Sequence, residues 1–145
     1  MNTFRQKFMT HKEFIDLYGF DMGIAKRTPK KIEKGLEKYC WYNAYKLCIN
    51  YGYTYCEGIA SIDDLSFAHG WCLDFDGKVI DNTIDEVTRY FGVPFDRNYV
   101  IDATSRTSEA SLIEFDYLKD YELLKGKVGI DIFYQKDFLK KFKNR

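Results

Sequence analysis

Between Tyr51 and Tyr53 the hydrophobic pattern changes period, and this change constrains the fold more than any other feature of the chain. Before it, Leu36, Cys40, Ala44, Leu47, Cys48 and Tyr51 recur at helical spacing. After it come "YTYCEGIASI", "FAHGWCLDF" and "KVIDNT", rich in β-branched and aromatic residues and bounded by polar turns. These read as strands. Asp76-Gly77, between the last two, is a strong hairpin signal. A chain that is helical on one side of a point and extended on the other packs helices against a sheet.

The flanks extend this pattern. "THKE" is a capping box, predicting a short helix after Thr10 that stops near Gly19. "TPKKIE" places Thr28 at an N-cap and Pro29 at the first helical position of a segment running to Asn50, which Gly35 can split in two. "IDEVTRYFGVPF" reads as a helical turn ending near Gly92, with Pro94 blocking its continuation, and "NYVIDA" as a further strand. A helix from Ser108 to Lys125 carries Ile113, Tyr117, Tyr121 and Leu124 on one stripe and stops at Gly126. "VGIDIFY" alternates as a strand, and the tail "KDFLKKFKNR" reads as a solvated, basic helix face. The expected fold is α+β, with N-terminal helices packed on a small central antiparallel sheet and C-terminal helices after it.

Composition narrows the function. The 145 residues are read as one domain, and 46% apolar with 18% aromatic residues exclude a disordered chain. The 22 basic and 22 acidic residues cancel, so no global field recruits nucleic acid or an anionic membrane. The Tyr-rich "YGYTYCEG" lacks the flanking basic residues that a base-stacking platform uses, which argues against nucleic acid as a partner. No apolar run approaches the ~20 residues of a membrane span, and the N-terminus has no signal-peptide block. Cys40, Cys48, Cys56 and Cys72 form no CxxC pair. They are expected to be free thiols in a reducing, cytoplasmic setting, without metal or cofactor. In an EF-hand register Asp74, Asp76 and Gly77 would occupy positions three, five and six, but Cys72 and Thr83 then stand where carboxylate ligands belong. Asp74 and Asp76 are read as solvated turn residues.

A nucleophilic cysteine needs a histidine beside it, and the chain has only His11 and His69. His11 falls in the first turn of a surface helix and reads as ordinary. His69 lies in a strand between Ala68 and Gly70, small neighbours that let another backbone or a substrate approach. Parity of the following hairpin decides whether Asp81 can serve it. A two-residue turn puts His69 and Asp81 on opposite faces. A three-residue loop Phe75-Asp76-Gly77 pairs Asp74 with Lys78 and puts both residues on one face, a diagonal step apart. Both loops suit Asp-Gly. Among the cysteines, Cys48 sits late in its helix, at the electronegative end, and Cys56 and Cys72 read as strand core. Cys40 opens "CWYNAYKLC". It stands at a helix start if Gly35 or Tyr39 interrupts the preceding turn, and mid-helix otherwise. Periodicity alone makes it a core residue more often than a nucleophile.

Taken together, "CWYNAYKLC", "YTYCEGIA" and "AHGWCLDFDGKVIDNT" resemble the core of the transglutaminase-like branch of the papain-like cysteine protease superfamily. That family sets a nucleophilic Cys at a helix start, then a strand ending in a Tyr-x-x-Gly-like segment, a His-Ala-Trp strand, a short hairpin and an Asp-Pro-Thr strand. Here the order is Cys40, "YCEG", His69-Gly70-Trp71 and Asp81-Asn82-Thr83, covering residues 39–83, and "YFGVPF" extends the likeness to Phe95. Similar short proteins occur in bacteria and their phages. Gly70 stands for the usual Ala and Asn82 for the usual Pro, and no upstream Gln or Trp is identified as an oxyanion donor. Backbone N–H groups of Cys40 and Trp41 are the candidates for that task.

The resemblance implies a cysteine hydrolase or acyltransferase acting on a protein or peptide, whether as peptidase, isopeptidase or transglutaminase-like enzyme. Cys40 would be nucleophile, His69 base and then acid, and Asp81 the residue fixing the imidazole tautomer. Trp41, Asn43, Glu57 and Trp71 are candidates for the substrate pocket. Asn43 reads equally as a helix-surface amide and Glu57 as a strand-end charge. The competing expectation is a non-enzymatic, phage-type binding protein on the same fold that occludes a host factor.

Overall fold

The computed structural model describes residues 8–133. Within them lie three α-helices and one five-stranded sheet, an α+β architecture. Thr10 caps α1 (His11–Tyr18) by accepting from the Glu13 backbone, and the Glu13 carboxylate returns a bond to the Thr10 N–H. The helix buries Phe14 and Ile15. The strands are β1 (Phe20–Gly23), β2 (Thr54–Ile62), β3 (Leu65–Leu73), β4 (Val79–Ile80) and β5 (Arg89–Pro94), in the order β1-β5-β2-β3-β4 with every pair antiparallel. The chain leaving β1 crosses to the far edge, where Ala25 bridges Val79 and the Lys26 N–H donates to the Val79 carbonyl at 3.0 Å. The sheet therefore curls, because one short segment touches both of its edges.

Each face of the curled sheet carries a core. Outside, Phe14, Ala44, Leu47, Tyr55, Cys72, Val93 and Val100 pack the sheet against α1, α2 (Cys40–Tyr51) and α3 (Arg97–Thr107). Inside the curl, Met22, Cys56, Ala60, Trp71, Leu73, Val79 and Tyr90 form the second cluster. A fully buried Leu, Val or Phe in such a core contributes about 1.5–3 kcal/mol. Period two along β3 sends Trp71 and Leu73 inward, while Gly70 and Cys72 face α2. A Cβ on Gly70 would lie 2.7 Å from the Trp41 ring, so the absence of a side chain lets α2 lie directly on β3.

Several segments differ from the sequence expectation, each for an identifiable reason. The stretch after Pro29 makes one turn, with the Ile32 N–H on the Pro29 carbonyl, and no helix forms before Cys40. Only Ile32 in this Lys- and Glu-rich segment is buried, and Lys38 takes a left-handed φ of 68° that breaks any continuous helix. "TRYFGVPF" is strand β5 and not a helical turn, because it pairs on both sides, with β1 and with β2. Gly92 at its centre makes room for the Trp71 indole. "NYVIDA" belongs to α3 and is no strand. The Asp96 carboxylate caps that helix by accepting from the Asn98 and Tyr99 N–H groups, and Val100 and Ala103 face the core at helical spacing.

The predicted helix over residues 108–125 is replaced by turns and a short 3₁₀ segment, Asp116–Lys119. Asp120 and Tyr121 are left-handed, and the buried Asp116 carboxylate collects the Leu123 and Leu124 N–H groups that a helix would have used internally. Of "VGIDIFY", the described residues up to Phe133 make a 3₁₀ turn at Ile130–Ile132 and a bridge from Phe133 to Phe95 instead of a strand, and Tyr134 lies outside the described residues. The tail "KDFLKKFKNR" lies outside the described residues. Among the described residues, no helix is long and apolar enough to cross a membrane.

Candidate active site

The hairpin after β3 takes the three-residue form. Leu73 pairs with Val79, the Asp74 N–H donates to the Lys78 carbonyl at 2.8 Å, and Gly77 adopts φ 75°. Asp74 is not solvated: it is 5% exposed, accepts from the Asp76 and Lys78 N–H groups, and pairs with Lys26 at 2.5 Å. Those bonds lower its pKa against the opposing effect of burial. Among the described residues, no cluster of His, Cys, Asp and Glu is placed to hold a metal ion.

This register brings Asp81 to His69. His69 Nε2 lies 2.7 Å from Asp81 Oδ2, and the pair is buried. A neutral imidazole facing a carboxylate through Nε2 carries its proton there and leaves Nδ1 free to accept. The His69 ring sits between Phe67, at 5.6 Å, and Trp71, at 6.1 Å. Burial pulls the imidazole pKa down, but hydrogen bonds and charge from the Asp81 carboxylate and from Cys40 as thiolate overcome it and raise the value to about 9. Asp81 is held below the usual carboxylate range against its own burial, by His69, the Thr83 N–H and Tyr90. Its Oδ1 accepts from the Thr83 and Ile84 N–H groups, and its Oδ2 also accepts from the Tyr90 hydroxyl at 2.7 Å.

Cys40 is the first residue of α2, and Tyr39 before it makes no side-chain capping bond. An uncapped helix start presents backbone N–H groups and the positive end of the dipole. Asn43, one turn on, fixes the approach. Its amide bonds both backbone groups of Leu36, at 3.2 and 2.8 Å, and donates to Thr83 Oγ1 at 2.8 Å. The Gly35 N–H reaches the Asn82 carbonyl, and the Asn82 amide donates to the Glu33 carbonyl. The loop before Cys40 and the loop after Asp81 are thus laced together, which sets the distance between thiol and carboxylate.

Cys40 and His69 border one cleft of ≈ 510 Å³, with Phe67 and Thr83 beside them and Lys34 and Asp85 paired at its mouth at 3.9 Å. His69 also borders a smaller cavity of ≈ 200 Å³ on its other flank, walled by Trp41, Glu57 and Ser111. Trp41 therefore lines a cavity near the histidine. Trp71 does not: it is 1% exposed, buried in the sheet interior, with its indole N–H on Met22 Sδ. Asn43 is buried beneath the loops and does not border either space. Glu57 is an anchor more than a pocket group. Its carboxylate accepts from Ser111 Oγ and from the Leu112 and Ile113 N–H groups, and burial raises its pKa. Sequence reasoning missed Tyr90, which lies in a segment read as helical; only its strand parity beside β2 reveals that it points at Asp81. All four cysteines are free, and Cys40 alone is not buried. No family model, curated protein or solved structure matches the chain.

Proposed function

We propose that the protein is a cysteine-dependent acyl-transfer enzyme acting on amide or ester bonds of a protein or peptide, built on a reduced papain/transglutaminase-like core. The observation that carries this reading is His69 bonded to the Asp81 carboxylate at 2.7 Å and bordering one cleft with the Cys40 thiol, which stands at an uncapped helix start. A pKa of about 9 keeps His69 protonated at neutral pH, so the reactive state is the ion pair in which the proton of Cys40 already sits on the imidazole. As the Cys40 sulfur bonds to the carbonyl carbon, His69 keeps the proton it holds, and the backbone N–H groups at the start of α2 receive the developing oxyanion. His69 then returns the proton to the departing amine or alcohol, leaving a thioester on Cys40. Water or an amine attacks that thioester through the same histidine, and the thiol re-forms.

The test is thiol reactivity. Iodoacetamide should modify Cys40 at least ~10-fold faster than Cys48, Cys56 or Cys72, whose pKa values burial raises. Replacing His69 by Ala should slow the alkylation of Cys40 itself although the thiol stays accessible. Uniformly slow labelling, or labelling indifferent to His69, rejects the catalytic reading.

One observation favours a second reading, a binding protein that covers a host factor. Leu36, Tyr39 and Tyr42 are 63%, 59% and 46% exposed, and with Phe115 they line a mostly apolar cavity of ≈ 450 Å³. Under this reading Tyr39→Ser with Tyr42→Ser abolishes a stable complex, while Cys40→Ala leaves it intact.

A further inference from the structure

We infer that Tyr90 is a positioning residue of this site, one that sets through Asp81 how firmly the His69 proton is held. The inference rests on the reading of Cys40, His69 and Asp81 given above. Asp81 does not need Tyr90 for its orientation, because the Thr83 and Ile84 N–H groups already fix Oδ1, at 2.9 and 3.2 Å. What Tyr90 supplies is a second donor on the oxygen that faces the imidazole. Its hydroxyl and His69 Nε2 both lie 2.7 Å from Oδ2. A donor to an anion withdraws charge from it. Less charge then remains on Oδ2 to stabilise an imidazolium.

Tyr90 is 0% exposed, so water does not compete for the bond, and burial beside Asp81 keeps the phenol protonated and donating. The phenol ring has its own place in the packing, 5.0 Å from Trp71. A phenylalanine would keep that place and lose only the hydroxyl. Other charged or titratable groups face the spaces that His69 borders, from several elements. Cys40 comes from α2. Lys34, Glu37 and Lys38 from the loop before α2, and Asp85 and Glu86 from the loop after β4, border the cleft. Glu57 from β2, Glu114, and His11 and Lys12 from α1 border the smaller cavity. None of these shares Oδ2, and all are unchanged by substitution at Tyr90.

Only two histidines are present, so ring NMR resolves His69 with His11 as an internal reference. In full-length Tyr90→Phe, the His69 titration midpoint should rise by about half a pH unit or more while that of His11 stays fixed. Site-specific 3-fluorotyrosine at position 90, a stronger donor of nearly the same shape, should move the midpoint down, and it tests the inference should the Phe chain not fold. A His69 midpoint that is unmoved, or shifts with the opposite sign, overturns it. Both measurements are repeated in a Cys40→Ala background. The Tyr90–Asp81–His69 coupling survives there whether or not Cys40 is a nucleophile, so a failure of the catalytic reading and a failure of this inference are separate results.

Discussion

Asp81 and Glu57 are buried carboxylates that do the same structural work under opposite electrostatic conditions. Asp81 gathers the Thr83 and Ile84 N–H groups and so folds the loop after β4. Glu57 gathers the Leu112 and Ile113 N–H groups and so folds the segment after α3. Asp81 also faces His69, and its pKa is lowered. Glu57 has only neutral hydrogen-bond donors against it, and its pKa is raised. Backbone donors alone do not keep Glu57 acidic, whereas at Asp81 the directly hydrogen-bonded imidazole outweighs burial; Asp116, with Lys119 3.7 Å away, is raised as Glu57 is. One loop is therefore tied to the state of a histidine, and the other is held by a carboxylate anchor with no histidine against it.

The largest expected effect breaks the anchor. Glu57→Ala leaves the Leu112 and Ile113 N–H groups and the Ser111 hydroxyl buried without their acceptor. At about 1–3 kcal/mol for each unsatisfied group, a loss of about 3–5 kcal/mol is expected in denaturant unfolding. The His69 ring titration should not follow it. If that titration collapses together with stability, the two loops are one cooperative unit and the contrast drawn between them is wrong.

The alkaline limb of stability sharpens the other half. His69 has a folded pKa of about 9 against an unfolded value near 6.5. Its contribution is fully present below the unfolded value and is lost as pH rises through the folded one. Between pH ~6.5 and ~9 the protein should lose on the order of 3 kcal/mol of unfolding free energy. Asp81→Asn removes the carboxylate charge and should flatten this limb. Glu57 behaves differently. Its raised pKa makes its contribution grow as pH falls toward 4.5, and this part of the profile should persist in Asp81→Asn. An alkaline slope equally steep in Asp81→Asn would assign it to another group.

These contrasts also explain what could be read from the sequence. Local signals held where a pattern is self-contained: the capping box at Thr10, the period change after Tyr51, and the Asp-Gly hairpin. The order Cys40, His69, Asp81 was visible as a motif. The register joining His69 to Asp81 was not, because a two- and a three-residue loop suit the same dipeptide. Residues 108–125 carry helical spacing, yet Asp116 and Glu57 draw off backbone N–H groups there through bonds that no local pattern announces. Tyr90 was hidden for a related reason. Gly92 and Pro94 read as helix breakers, whereas Gly92 is needed where the Trp71 ring crosses β5.

The smallest predicted effect lies where α2 meets β3. A Cβ on Gly70 would sit 2.7 Å from Trp41 Cδ1 and 3.2 Å from Trp41 Cα. The second contact is backbone, so the indole cannot relieve it by changing rotamer. Gly70→Ala should therefore push the start of α2 off the sheet, at about 1–2 kcal/mol. Cys40 precedes Trp41 and moves with it, so alkylation of Cys40 should slow while the hydrogen bond between His69 and Asp81 persists. Adding Trp41→Ala relieves the ring contact and leaves the backbone contact. The double-mutant cycle should then recover only part of the loss. Full recovery would mean that the indole, and not the helix axis, sets how closely the thiol approaches His69.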